Sequence, residues 1–196
     1  MRRKTFDVLV SVGGLVLAAV LLVAGGLLVW GYSFANGQVH DQLAAQKIVF
    51  PATSSPEFKA LPASDQAAMA VYAGQPMTTG AQAKTWADHF IAVHLAKMGG
   101  GKTYSELSAA SLAAPKNVAL AQLVQTVFRG TTLRSMLLEA YGFWQMGQIA
   151  LIGAIVSFIG AGLLLILSIV GLVHGRRVPA EKEVFAPAAH TATATA

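Results

Sequence analysis

Two histidines five residues apart, His89 and His94 in "ADHFIAVHLAKM", are the residues of this chain best suited to chemistry. Joined by Asp88, Glu106 or His40, they would supply the imidazole and carboxylate ligands that hold iron or zinc. Helical metal pairs favour a spacing of four, which puts both rings on one face. A spacing of five puts them about 140° apart at 100° per residue. His94 falls in an apolar stripe with Trp86, Ala87, Phe90, Ile91 and Met98, the position of a packed histidine with one nitrogen hydrogen-bonded. His89 falls at the polar edge. The two stand as metal candidates only. Serines are plentiful, but no nucleophile-elbow pattern marks one of them. The chain has no cysteine, so disulfides and thiolate ligands are ruled out. No catalytic residue and no cofactor is assigned.

A second stretch, "AKMGGGKTYSE", carries Ala96, four residues, then Gly101-Lys102-Thr103, the looser form of a phosphate-binding loop. A working loop of that kind joins a strand to a helix. Here the preceding residues read as helix. The pattern is expected to be a glycine helix stop, Gly99 to Gly101, followed by Thr103 as the next N-cap. Nucleotide is not expected as a ligand, and no nucleic-acid partner is assigned. A third candidate pair, Arg129 and Arg134 in "FRGTTLRSMLLEAYGFW", is placed to meet lipid phosphate, a partner, or an acid within the domain.

The elements that must position these residues start from composition. The 196 residues are 55% hydrophobic and 12% charged, with net charge +5. Soluble domains run about 45–50% apolar and about 25% charged, so the excess should lie in membrane spans. Two uncharged runs, Val8 to Trp30 and Met146 to Val173, exceed the roughly 20 residues a spanning helix needs. Both should be helices, because lipid offers backbone groups no other partner. The first run is longer than the roughly 7–15 apolar residues of a signal peptide, so an uncleaved anchor is expected. Arg2, Arg3 and Lys4 flank one end, and Arg176 and Arg177 the corresponding end of the second run. Trp30, Tyr32, Phe34, Tyr141, Phe143 and Trp144 gather at the opposite ends. Basic flanks stay in the cytoplasm and aromatic rings sit at the interface, so both termini are expected inside, with residues 31–145 outside. Small residues at Ser11, Gly14 and Ala18, and at Gly153, Ser157 and Ala161, are expected to let the spans pack, within one chain or between chains.

The external segment reads as helical throughout. "NGQVHDQLAAQKIVFP" extends the first helix, and "PATSSPEFKALPA" is a proline loop. Ser64 is expected to cap a helix ending at Gly74. Thr79 with Gln82 forms a capping box for a helix running to Met98, with Lys84 and Asp88 paired on its surface. Thr103 with Glu106 forms a second box. Gly130 is expected to end a helix, and Thr131 or Thr132 to start another that enters the second span. The last 19 residues are rich in Ala, Pro and Thr and are expected to be a disordered cytoplasmic tail. The fold class is therefore all-α. It divides as a cytoplasmic N-terminus (1–7), a span (8–30), an extracytoplasmic helical domain (31–145), a second span (146–173) and a tail (174–196).

"MRRKTFDVLVSVGGLVLAAVLLVAGGLLVWG", "QLAAQKIVFP", "ADHFIAVHLAKMGGGKTYSELSA" and "VFRGTTLRSMLLEAYGFW" resemble a family of uncharacterised actinobacterial membrane proteins. The resemblance covers all but the tail. It implies the same two-span plan in a bacterial plasma membrane and no established activity. Members sometimes carry the name aromatic ring-opening dioxygenase. That chemistry needs a ferrous site of two histidines and a carboxylate with open positions, which the sequence does not gather. The expected role is binding: an envelope accessory or sensing subunit. Its partners would be the bilayer and another envelope protein or a second copy. The alternative is a metal-dependent enzyme, or a dioxygenase-related subunit, using histidines and carboxylates of the external domain.

Overall fold

The computed structural model describes residues 3–177, and these are helical almost throughout. Helix α1 spans Arg3–Ala45, followed by α2 (Pro56–Lys59), α3 (Ala63–Ala70) and α4 (Gly80–Trp86). A π-helical turn, Ala87–Ile91, leads directly into α5 (Ala92–Met98). Then come α6 (Tyr104–Ala113) and the 60-residue α7 (Val118–Arg177). The sole sheet-like contact among the described residues is the antiparallel bridge between Val49 and Pro76. Both α1 and α7 contain stretches long and apolar enough to cross a membrane.

The chain divides into two compact units. One is formed by α1 up to Trp30 and α7 from Leu151 onward. Its helices run antiparallel, and small residues set their approach. On α7, Ala154, Ala161, Ser168 and Gly175 recur every seven residues and are buried, as are Ser11, Ala18 and Gly25 on α1. Seven residues are two helical turns, so this period keeps one face turned to the neighbour. A Cβ at Gly171 would lie 2.4 Å from Ser11 Oγ, and one at Gly25 would lie 2.8 Å from the Phe158 ring. The seven-residue series holds the most buried positions, and part of the four-residue stripe expected on the second span meets α1: a Cβ at Gly153 would lie 3.3 Å from Leu28 Cδ1. Ala161 is buried at its centre, while Gly153 and Ser157 lie half-buried beside it.

The other unit is Gly31–Ala150. Its core gathers Val39, Leu43, Phe50, Phe58, Leu61, Met69, Met77, Ala83, Ala87 and Leu137. Phe50 is its hub. The ring packs 5.3 Å from Tyr72 and 5.1 Å, edge-on, from Trp86. Its backbone is held by Phe50 N donating to Gln75 O (2.9 Å) and Gly74 N donating to Phe50 O (3.1 Å). A smaller core of Leu107, Val124 and Val127 lies under α6.

Local signals account for most ends. Thr79 and Gln82 form the expected capping box, and Gln82 does more than cap. Its buried Oε1 accepts from Thr78 N (2.7 Å) and Thr79 N (3.0 Å). Gln82→Ala strands both amides, so thermal unfolding should report a loss of about 1–3 kcal/mol. Gln82→Glu keeps the acceptor and should lose less.

Four expectations are corrected. Helix α3 begins at Ala63 with Pro62 as N-cap, because the Pro62 carbonyl accepts from Asp65 N and Gln66 N; Ser64 lies inside the first turn. The proline loop contains α2, started by Ser55 accepting from Phe58 N. Gly130 does not end a helix, and no new helix starts at Thr131 or Thr132. Thr132 Oγ1 donates to Phe128 O (2.9 Å) as an interior residue of α7, and Gly130 gives room to Leu95, whose Cδ2 lies 2.6 Å from a would-be Cβ. Regular helix also extends beyond the expected span ends, from Arg3 and through Arg177. The remainder of the expected tail, 178–196, lies outside the described residues.

Candidate functional site: the π turn and the arginine that braces it

A π turn widens a helix by one residue and bonds its carbonyls to the amide five positions on, as Ala87 O accepts from Ala92 N. In this chain side chains add bonds to two carbonyls of the turn. Arg134, from α7, donates from Nε to Ala87 O (3.2 Å) and from an Nη to Asp88 Oδ1 (2.8 Å). His94 Nδ1 donates to Phe90 O (2.7 Å), which places the hydrogen on Nδ1. Lys84 engages the other oxygen of Asp88. On the opposite flank, His89 Nδ1 lies 2.8 Å from Asp65 Oδ1 of α3.

The extra residue also turns the helix face. The stripe expected through Met98 holds as far as Trp86, Phe90 and His94, whose rings stack at 4.5 and 4.4 Å. After the π turn the packed positions shift by one, so Leu95 joins the small core and Met98 is exposed.

Each candidate residue now has a place. His89 and His94 have different partners, and no cluster of three His, Cys, Asp or Glu that could hold a metal forms among the described residues. Asp88 is a counter-ion to Lys84 and Arg134, Glu106 caps α6 with Thr103, and His40 sits beside Asp41. Arg134 takes the intramolecular acid foreseen for the arginine pair, whereas Arg129 is exposed. The glycine-rich loop is a helix stop. Gly101 N donates to Ala96 O (2.8 Å) and Gly100 N to Lys97 O (3.4 Å), both glycines having positive φ. The five amides from Gly99 to Thr103 all donate within the protein: Gly99 to Leu95 O, Lys102 to Gly99 O, and Thr103 to Glu106 Oε2. None of them is turned toward an incoming phosphate.

No family model, curated protein or solved structure matches this chain.

The charges at the π turn are arranged for structure. Partial burial pushes the Asp88 carboxyl up, but hydrogen bonds from Lys84 and Arg134, together with their charges, outweigh it and bring it below its ordinary value. A carboxylate lowered by folding stabilises the fold above its unfolded value and loses that contribution as pH falls through the folded one. Stability should decline as pH falls below about 5 and on through the lowered Asp88 value, and Asp88→Asn should flatten that part of the curve. Lys84 and Arg134 are substantially exposed, so solvent limits the effect to about 1 kcal/mol. Denaturant unfolding across that pH range checks it.

Sequence reasoning found Lys84–Asp88 because the pair is local. It missed Asp65–His89 and the brace on Ala87, which join residues 24 and 47 positions apart. The available signal was Arg134, one of the two arginines already singled out beside the second span.

Proposed function

We propose that the chain is a two-span membrane protein whose helical unit Gly31–Ala150 serves as an envelope binding or accessory module. One observation carries the membrane part. The apolar windows of the two long helices are only 17% and 11% buried, so Val16, Leu27, Ile152, Ile159 and Ile166 face outward without cover. A core helix of a soluble domain buries its apolar face; these helices carry large apolar side chains on the sides they do not share, as lipid-facing helices do. The basic flanks and the aromatic residues argue for cytoplasmic ends and an external helical unit. The resemblance to an actinobacterial membrane family points the same way.

The binding part is supported by a groove of about 940 Å³ within the helical unit. Phe34, Gln38, Gln42, Met136, Glu139 and Phe143 line it. Methionine and phenylalanine adapt to an apolar helix, and Glu139 would select a basic residue on it. The occupant proposed is an apolar helix of another envelope protein bearing one cation. A photo-cross-linking side chain at Met136 tests this in intact cells. One identified partner, lost on Glu139→Lys and absent when the probe sits at exposed Gln125, supports the reading. Extraction of an uncross-linked monomer alone contradicts it.

A further inference from the structure

Within the unit Gly31–Ala150, α4 and the π turn lie along α7 in antiparallel register. A Cβ at Gly80 would stand 2.4 Å from Trp144 Cβ. One turn on, Lys84 Nζ stands 5.6 Å from the centre of the Tyr141 ring. A further turn on, Asp88 meets Arg134. Lys84 and Arg134 therefore share one carboxylate, and a positive charge is left over. Arg134 is committed to the carbonyl of Ala87 as well, whereas the Lys84 side chain is 46% exposed. No carboxylate but Asp88 pairs with Lys84 among the described residues. Glu139, the nearest acid on α7, is about 160° round the helix from Tyr141 and lines the groove on the other side.

Depth decides which anion this charge meets. Tryptophan rings settle at the headgroup level of a bilayer. With Trp144 at that level, Tyr141 stands three residues, about 4.5 Å, further from the span, and Arg134 ten residues, about 15 Å. Headgroups add roughly 5–7 Å to each side of the hydrocarbon. Lys84, level with Tyr141, falls inside that layer, and Arg134 stands above it. An ammonium on a flexible stem, held over an aromatic face at this depth, has lipid phosphate within reach.

We propose that Lys84, over Tyr141 and one turn above Trp144, binds the phosphate of an anionic phospholipid in the adjoining leaflet. The inference rests on the membrane reading above and holds whichever side of the membrane the unit faces. A zwitterionic lipid suits the site less well, because its phosphate brings its own cation to a place that already has one cation too many. Tyr141 and Trp144, with rings 6.1 Å apart, give the glycerol and upper acyl chain an aromatic wall to lie against.

Lipid quenching tests the contact. In the full chain, Trp30→Phe leaves Trp144 as the interfacial fluorophore, since Trp86 packs in the core of the unit. The protein is reconstituted in phosphatidylglycerol–phosphatidylcholine vesicles, with bromines carried on the chains of one lipid or the other at equal mole fraction. Phosphatidylglycerol should be preferred beside Trp144 by about fivefold, the usual contribution of one lysine at an anionic surface. Lys84→Gln should bring the two lipids to parity, and Lys84→Arg should keep the preference. Asp88→Asn removes the competing carboxylate and should raise it, a change that loss of structure does not produce. Arg129→Gln, about 22 Å further from the span than Trp144, should leave it unchanged. No preference in the protein with Lys84 intact, or a preference that survives Lys84→Gln, overturns the inference. So does a preference abolished by inorganic phosphate but not by sodium chloride of equal ionic strength, the sign of a site for free phosphate. Release of the protein by alkaline carbonate sinks the membrane reading itself, and is seen separately from the quenching.

Discussion

Phe50→Ala is expected to destabilise the helical unit by about 3–5 kcal/mol, the usual cost of truncating a fully buried phenylalanine. Phe50 is 1% exposed and joins parts of the chain that little else ties together. Its ring touches Tyr72 and Trp86, and its backbone exchanges hydrogen bonds with Gly74 and Gln75. The antiparallel bridge beside it, Val49 to Pro76, is a single residue pair and cannot hold the loop if the ring is lost. A domain of this size has about 5–15 kcal/mol in all, so the variant stands close to unfolding. Trp86 and Trp144 pack against this core and report on it, so tryptophan fluorescence of the detergent-solubilised protein during urea titration gives the measurement. Phe50→Leu refills much of the space and should lose about half as much. Equal stability of wild type and Phe50→Ala would mean that the hub lies elsewhere.

The second large effect is expected where the long helices touch. A Cβ at Gly14 would stand 2.3 Å from Ser168 Oγ, and one at Gly171 would stand 2.4 Å from Ser11 Oγ. Each glycine is thus a notch for a serine on the other helix. Gly14→Ile and Gly171→Ile should each cost the pair about 1–3 kcal/mol through overpacking, and the double variant should part the helices there. The absence of cysteine provides the assay. Asp7 Cβ lies 3.4 Å from a would-be Cβ at Gly175, within reach of a disulfide, so Asp7→Cys with Gly175→Cys should form an intramolecular disulfide on mild oxidation in membranes. The Gly14→Ile/Gly171→Ile background should slow it about tenfold or more, the factor that corresponds to 1.4 kcal/mol. Unchanged cross-linking would show that the seven-residue small face does not hold the helices together.

What could be read in advance follows the range of each interaction. Thr79 with Gln82, Thr103 with Glu106, and Lys84 with Asp88 act across three or four residues, and their partners are visible in sequence. The all-α character followed from the same local evidence. Gly130 misled because a glycine required by a neighbour's side chain looks the same as one that stops a helix; only Leu95 tells them apart. The π turn left no local signal, since its carbonyls are met by Arg134 from another helix and by His94, whose stripe position already accounted for it. Ala154, Ala161, Ser168 and Gly175 were hidden by a choice of period, because four and seven both suit a helix and only the partner decides.

The central claim, two membrane spans with residues 31–145 outside, is tested most directly by thiol labelling in intact cells. Lys102→Cys and Thr5→Cys each introduce one cysteine at an exposed position and leave Arg2, Arg3 and Lys4 in place. With a membrane-impermeant maleimide, position 102 should be labelled in intact cells and position 5 only after lysis. Labelling of position 5 but not 102 would invert the topology and put the glycine-rich loop in the cytosol. Labelling of neither before lysis and both afterwards, with the protein in the soluble fraction, would contradict membrane insertion.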